Sequence, residues 1–179
     1  MLHPAEMVQN LTVETLSHGR FDLREHAGTN GTLLIFYRGL HCPLCIRQMS
    51  ELDAKLGLFA DMGVETIMLS GDDQARAQET ADKAQIENTK VGYGMSLAAA
   101  RDDWGLHLSS ARTGSTEAAY FFEPGHFYIA PNQTLYFGWV QTSPFARPQI
   151  DDLHNAIKFA LEKSYPPRGM FRGRLPEDN

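Results

Sequence analysis

The stretch FYRGLHCPLCIRQM, residues 36–49, contains both cysteines of the chain, Cys42 and Cys45, three positions apart with Pro43 directly after the first. Just before them, TLLIFY (32–37) is a continuous apolar run, the pattern of a strand buried on both faces. After them the period is helical: Cys45, Met49, Leu52, Leu56 and Phe59 recur at spacings of 4, 3, 4 and 3, up to Gly63. The thiols therefore fall between a strand and a helix, at the carboxyl end of the strand. Open α/β sheets place their sites at that edge.

Such a turn acts on a thiol. Proline is favoured in the first turn of a helix, which makes Cys42 a natural N-cap. Unpaired backbone N–H groups and the helix dipole favour an anion there, and thiolate is the anion at hand. One thiol of a Cys-x-x-Cys pair is typically lowered by a unit or more from about 8.5. Cys45 shares the apolar stripe of Met49 and Leu52 and is expected to face inward. One exposed and one sheltered thiol is the arrangement needed for attack followed by resolution, and the spacing permits a disulfide with little backbone movement. Two rival uses fit less well. Buried structural cysteines need neither a proline between them nor a helix start. Zinc needs three or four ligands; His41 is adjacent, but the other histidines are scattered, with no pair at zinc-site spacing. Dithiol redox chemistry without a bound cofactor or metal is the reading expected.

Outward from this core, LTVETLSHGRFDL (11–23) alternates and breaks at His18-Gly19, as a hairpin does. VETIMLS (64–70) reads as a second buried strand. DDQARAQETADKAQIE (72–87) reads as a helix with acids in its first turn, and SLAAARDDWG (96–105) as a short helix capped by Ser96 and ended by Gly105. Residues 105–125 have no clear period and read as a functional loop. HFYIAPNQTLYFGWV (126–140) reads as two strands about a three-residue turn. Ile150, Leu153, Ile157 and Leu161 mark a helix over 149–163. The order is hairpin, β, α, β, α, insertion, β, β, α: a parallel pair with antiparallel additions in one sheet, hence an α/β fold with a central mixed sheet. Residues 1–163 are expected to form one domain, and 164–179 an irregular tail rich in proline and arginine.

Composition bounds the function. The 179 residues carry 16 Lys+Arg against 22 Asp+Glu, a net charge of -6, which argues against a nucleic-acid partner. No apolar run is long enough to span a bilayer, so no membrane partner is expected. The N-terminus shows no basic stretch followed by an apolar core, so the expected location is cytoplasmic.

Strand, CxxC, helix and then β, α, β, β, α resembles the thioredoxin fold, with the hairpin as an N-terminal extension. FYRGLHCPLC resembles the opening of its peroxiredoxin-like branch, the alkyl hydroperoxide reductase and thiol-specific antioxidant superfamily. LSGDD (69–73), EPGHFYIAPNQTLYF (123–137), SPFARP and YPPRG are similar to that branch as well, so the likeness covers roughly residues 11–169. It implies an antioxidant thiol–disulfide oxidoreductase or thiol peroxidase, acting on a disulfide or a hydroperoxide, restored by an external thiol reductant, with a homodimer compatible with the family. Against the peroxiredoxin pattern P-x-x-x-[ST]-x-x-C, however, Cys42 takes the Thr position and Arg38 the Pro position. By that alignment Cys45 is the attacking thiol; by the thioredoxin alignment it is Cys42. The N-cap position assigns attack to Cys42 and resolution to Cys45. With the peroxide-binding hydroxyl missing, disulfides are expected to be preferred over peroxide. Arg38 is the expected source of positive charge beside the thiolate, and Pro124 stands near the position of the thioredoxin cis-proline. Arg147 is expected to be a solvated loop residue, and Tyr37, Tyr120 and Phe121 core residues.

Overall fold

The computed structural model describes residues 2–175. The run 32–36 forms β3 (Thr32–Phe36), buried along its whole length, flanked by β4 (Glu65–Leu69) and β8 (Gly125–Ile129). β3 and β4 are parallel, with Phe36 opposite Leu69, and β5 (Lys90–Tyr93) is parallel to β4. β8 runs antiparallel to β3, and β9 (Leu135–Val140) antiparallel to β8. The hairpin of β1 (Thr12–Thr15) and β2 (Arg20–Asp22) turns at Gly19, whose φ of 68 suits glycine. It is more than an extension: β1 pairs with β5, so the hairpin completes a seven-stranded mixed sheet in the order β2-β1-β5-β4-β3-β8-β9.

Helices cover the sheet. α1 (Pro43–Asp53) buries Cys45, Gln48, Met49 and Leu52, one stripe at helical spacing. α3 (Gln74–Ala84) starts at Asp73, whose carboxylate accepts from the Arg76 N–H at 2.9 Å, so the acidic group caps the helix rather than lying in its first turn. α4 (Leu97–Asp102) is capped by Ser96, and α5 (Ile150–Lys163) buries Ile150, Leu153, Ile157 and Ala160. The core has two halves. Phe36, Trp104, Phe122 and Phe127 pack in one; Tyr37, both cysteines, Met49, Met68, Leu153 and Ile157 pack in the other. Truncating a buried Met or Leu to Ala there costs about 2–5 kcal/mol.

Three elements depart from the sequence reading. The helix expected to reach Gly63 breaks at Ala54-Lys55 and restarts as α2 (Leu56–Asp61). At the break the Asp53 carboxylate accepts from the N–H groups of Glu87, Asn88 and Thr89, and Lys55 pairs with Asp151. β5 is the second. It is only four residues long, and a Cβ at Gly92 would lie 2.6 Å from Leu69 Cδ2 and 3.0 Å from Val13 Cγ1, so a side chain there would push its neighbours aside. Third, the stretch without period, 105–125, contains a two-stranded sheet of β6 (Leu108–Ser110) and β7 (Tyr120–Phe122). The described part of the expected tail, 164–175, has no helix or strand, while Arg172 pairs with Glu6 at 2.6 Å; residues 176–179 lie outside the described residues. No described helix is long and apolar enough to cross a membrane.

Candidate active site

The turn after β3 is held from both sides. Gly39 has φ 120, and a Cβ at that position would lie 2.6 Å from the Asp72 carboxylate, which accepts from the Leu40 N–H at 2.7 Å. Asp72 is in turn paired with Arg76 at 3.0 Å. The chain leaves this clamp at Cys42, the N-cap of α1, with extended φ −106 and ψ 99 and Pro43 in the first turn. The Cys42 sulfur stands at the N-terminal end of α1, where its partners come from α1 itself and from a distant loop.

The partners are Cys45 and Arg147. The Cys45 thiol points at Cys42 Sγ across 2.7 Å with no bond between them, within about 0.7 Å of disulfide length. Arg147, in the loop between β9 and α5, donates from Nη1 to Cys45 Sγ at 3.3 Å and from Nη2 towards Cys42 Sγ at 3.9 Å. Both thiols are buried, Cys42 at 2% and Cys45 at 0%. The expectation of one wet and one sheltered thiol is thus corrected, because Arg147 and its loop cover the turn. The two thiols still differ. The Cys45 hydrogen bond, then the Cys45 backbone N–H and the Arg147 charge, bring Cys42 down from 9.0 to about 5. Burial, followed by the neighbouring Cys42 sulfur, pushes Cys45 well above 9.0. The two shifts run in opposite directions, towards the thiolate at Cys42 and towards the thiol at Cys45.

Arg147 is itself held. Its Nε and Nη2 donate to the Pro144 carbonyl at 3.1 and 2.7 Å, and Nη1 donates to Gln48 Oε1 at 3.3 Å. Gln48 lies one turn past Cys45 on the buried stripe of α1 and donates to the Pro148 carbonyl at 3.1 Å. Sequence reasoning set Arg147 aside as a solvated loop residue and did not single out Gln48. The one available signal was Gln48 itself, a polar residue at a core position of the helical stripe, which implies a buried partner.

Arg38, by contrast, is spent elsewhere. Its guanidinium lies 4.7 Å over the Phe121 ring and pairs with Glu123 at 3.1 Å and Glu117 at 3.6 Å. It fastens the β6–β7 hairpin to the active-site turn rather than serving the thiolate. Glu117 is held down to about 2, first by the Arg112 N–H it accepts. The His41 ring packs tilted against Phe121, with centroids 4.5 Å apart and planes at 57°. Tyr37 is fully buried and Phe121 nearly so, as expected of core residues, whereas Tyr120 is 66% exposed on the outer β7 strand. Pro124 lies between β7 and β8, next to Gly125, which stands opposite Phe36. No peptide bond among the described residues is cis, so Pro124 does not supply the cis-proline of that likeness. Among the described residues, no group of three His, Cys, Asp or Glu is placed to hold a metal ion.

Comparison with solved structures finds the same fold at low identity. A mutant of peroxiredoxin 6 from Arenicola marina matches at TM-score 0.74 and 13% identity, over 100% of this chain and 80% of that one. A mutant of PrxQ from Xylella fastidiosa matches at 0.73 and 13%, over 90% and 98%. A yeast mitochondrial 1-Cys peroxiredoxin matches at 0.71 and 16%, over 92% and 78%. No curated protein matches the chain. The model of the AhpC/TSA family matches residues 4–137, a span that takes in the thiol turn, the clamp around it and the sheet beneath. A thioredoxin-like fold with a cysteine pair at the carboxyl end of its central strand, matched by that model over most of its length, belongs to the AhpC/TSA family and is an antioxidant oxidoreductase of the peroxiredoxin-like group.

Proposed function

We propose that the chain is a dithiol peroxidase in which Cys42 attacks and Cys45 resolves. The observation that carries this reading is the burial of both sulfurs under Arg147, at 2% and 0% exposure. A hydroperoxide is small enough to reach such a sulfur; a disulfide on a protein surface meets the covering loop first. This ranking reverses the sequence-based preference for disulfides. Cys42 thiolate attacks the terminal peroxide oxygen, the O–O bond breaks, the hydroxyl stays on sulfur as a sulfenic acid, and the leaving alkoxide or hydroxide takes a proton from water. The Cys45 sulfur then attacks Cys42 Sγ, the S–O bond breaks, and water leaves with the Cys45 proton. The Cys42–Cys45 disulfide so formed is reduced by two equivalents of an external thiol, which is oxidised in turn. The yeast relative is described as resolved via glutathione/thioredoxin systems, which supports a reductant of that class here.

Side-by-side turnover with hydrogen peroxide and with insulin disulfide, under one dithiol reductant, tests the reading. Peroxide turnover is expected to be at least tenfold faster, about 1.4 kcal/mol in barrier. Faster insulin turnover would restore the disulfide oxidoreductase reading, which the CxxC spacing and the N-cap placement of Cys42 favour.

A further inference from the structure

His126 is the second residue of β8, wholly buried between its register partners Ile35 on β3 and Trp139 on β9. The reaction written above makes no use of it. Its Nε2 lies 3.1 Å from Gln48 Nε2, and its Nδ1 has no partner. Two contacts decide which end of the Gln48 amide faces the ring. Arg147 only donates, so the atom 3.3 Å from its Nη1 has to be the amide oxygen. The Pro148 carbonyl only accepts, so the atom 3.1 Å from it has to be the amide nitrogen. That same nitrogen faces His126, whose Nε2 is therefore an acceptor. The ring is neutral and carries its proton on Nδ1. Burial, aided by the Arg147 charge across the amide, holds His126 down to about 3, in keeping with that state.

We propose that His126 is a positioning residue for the thiol pair: by accepting from Gln48 it locks the amide with its oxygen towards Arg147, and so holds the guanidinium against both sulfurs. A flipped amide would turn N–H groups against N–H groups at Arg147. Without an acceptor at position 126 the amide nitrogen keeps only the Pro148 carbonyl, one N–H is left buried without a partner, and the hold on the amide oxygen facing Arg147 is loosened. The inference rests on Cys42 and Cys45 being the reacting pair, but it concerns the reduced resting protein alone.

The test follows the ultraviolet absorbance of the thiolate against pH in the reduced protein, without substrate. His126→Phe fills the space without an acceptor. It should raise the Cys42 midpoint by about half a unit, about threefold less thiolate at a fixed pH below the midpoint. His126→Gln, which offers an oxygen near the place of Nε2, should return the midpoint towards that of the natural protein. A merely structural role would lower the melting temperature of His126→Phe and leave the midpoint in place. An unmoved midpoint, or one moved as far in His126→Gln as in His126→Phe, overturns the proposal. Nitrogen-15 NMR of the unaltered protein gives a second reading should His126→Phe fail to fold. A proton on Nδ1 and a bare Nε2 at pH 7 support the proposal; a proton on Nε2 overturns it. Neither measurement depends on turnover, so failure of the peroxidase reading and failure of this one are told apart.

Discussion

Replacing Arg147 with Met removes the guanidinium and keeps most of the apolar stem. In the structure the charge lies 3.3 Å from Cys45 Sγ and 3.9 Å from Cys42 Sγ. A unit charge pair about 4 Å apart is worth about 4 kcal/mol at an effective dielectric of about 20, and about 1 kcal/mol in bulk water. Arg147 is half-buried, so about 2 kcal/mol is the appropriate scale. At 1.36 kcal/mol per unit this corresponds to about 1.5 units on the thiolate. Cys42 is held first by the Cys45 hydrogen bond, so the variant keeps part of its depression. Its midpoint should move from about 5 to about 6.5, which leaves about eightfold less thiolate at pH 5.5. Thiolate absorbance against pH in the reduced protein reads this directly. Arg147→Lys, which keeps a charge but loses the planar fork, should shift it less. A midpoint within about 0.3 units of the natural protein in Arg147→Met would refute the claim that this side chain stabilises the thiolate.

Arg38→Met should separate support of the fold from support of the thiol. It strands the buried Glu123, costing about 3 kcal/mol and lowering the melting temperature by about 6–12 °C, while the Cys42 midpoint stays in place. Cys45→Ser should trap a mixed disulfide on Cys42, seen by mass spectrometry with a thiol-reactive disulfide probe, and Cys42→Ser should give no such adduct; the opposite pattern assigns attack to Cys45. Stability of the reduced protein should depend on pH with a definite sign. Cys42 is lowered on folding, so its contribution is present above the unfolded value of 9.0 and is lost as the pH falls through about 5. Cys45 is raised, so it opposes folding only as the pH climbs past 9.0. Melting temperature should therefore rise between pH 5 and 9, and Cys42→Ser should flatten that rise; an equally steep rise in the variant would contradict the assignment.

How much of this was legible in sequence depended on how far apart the interacting residues lie. The strand 32–36, the cap at Cys42 with Pro43 behind it, the Ser96 cap and the stripe of α5 each rest on neighbours within a turn or a pleat, so period and cap chemistry reveal them. The α1–α2 break did not show, because the apolar stripe runs through it and the contacts at the break are long-range, with Asp53 reaching a loop 34 to 36 residues on. β5 and the β6–β7 hairpin are three or four residues long and carry too little pattern to be told from loop.

The site divides along the same line. The sequence alone determined that two thiols stand at a helix N-terminus beyond a buried strand, and that Cys45 faces inward, since the i, i+3 spacing and the proline between them are local facts. Only the tertiary structure decided what covers the thiols. Arg147 lies 102 residues from Cys45 in a proline-flanked loop without period, and no local signal distinguishes an arginine that turns inward from one left in water. Arg38 adjoins the turn in sequence, yet it was drawn to the carboxylates of an insertion some 80 residues later. A charge settles where desolvation is best offset, and that is set by which opposite charges the fold brings near, not by which residues adjoin it in the chain.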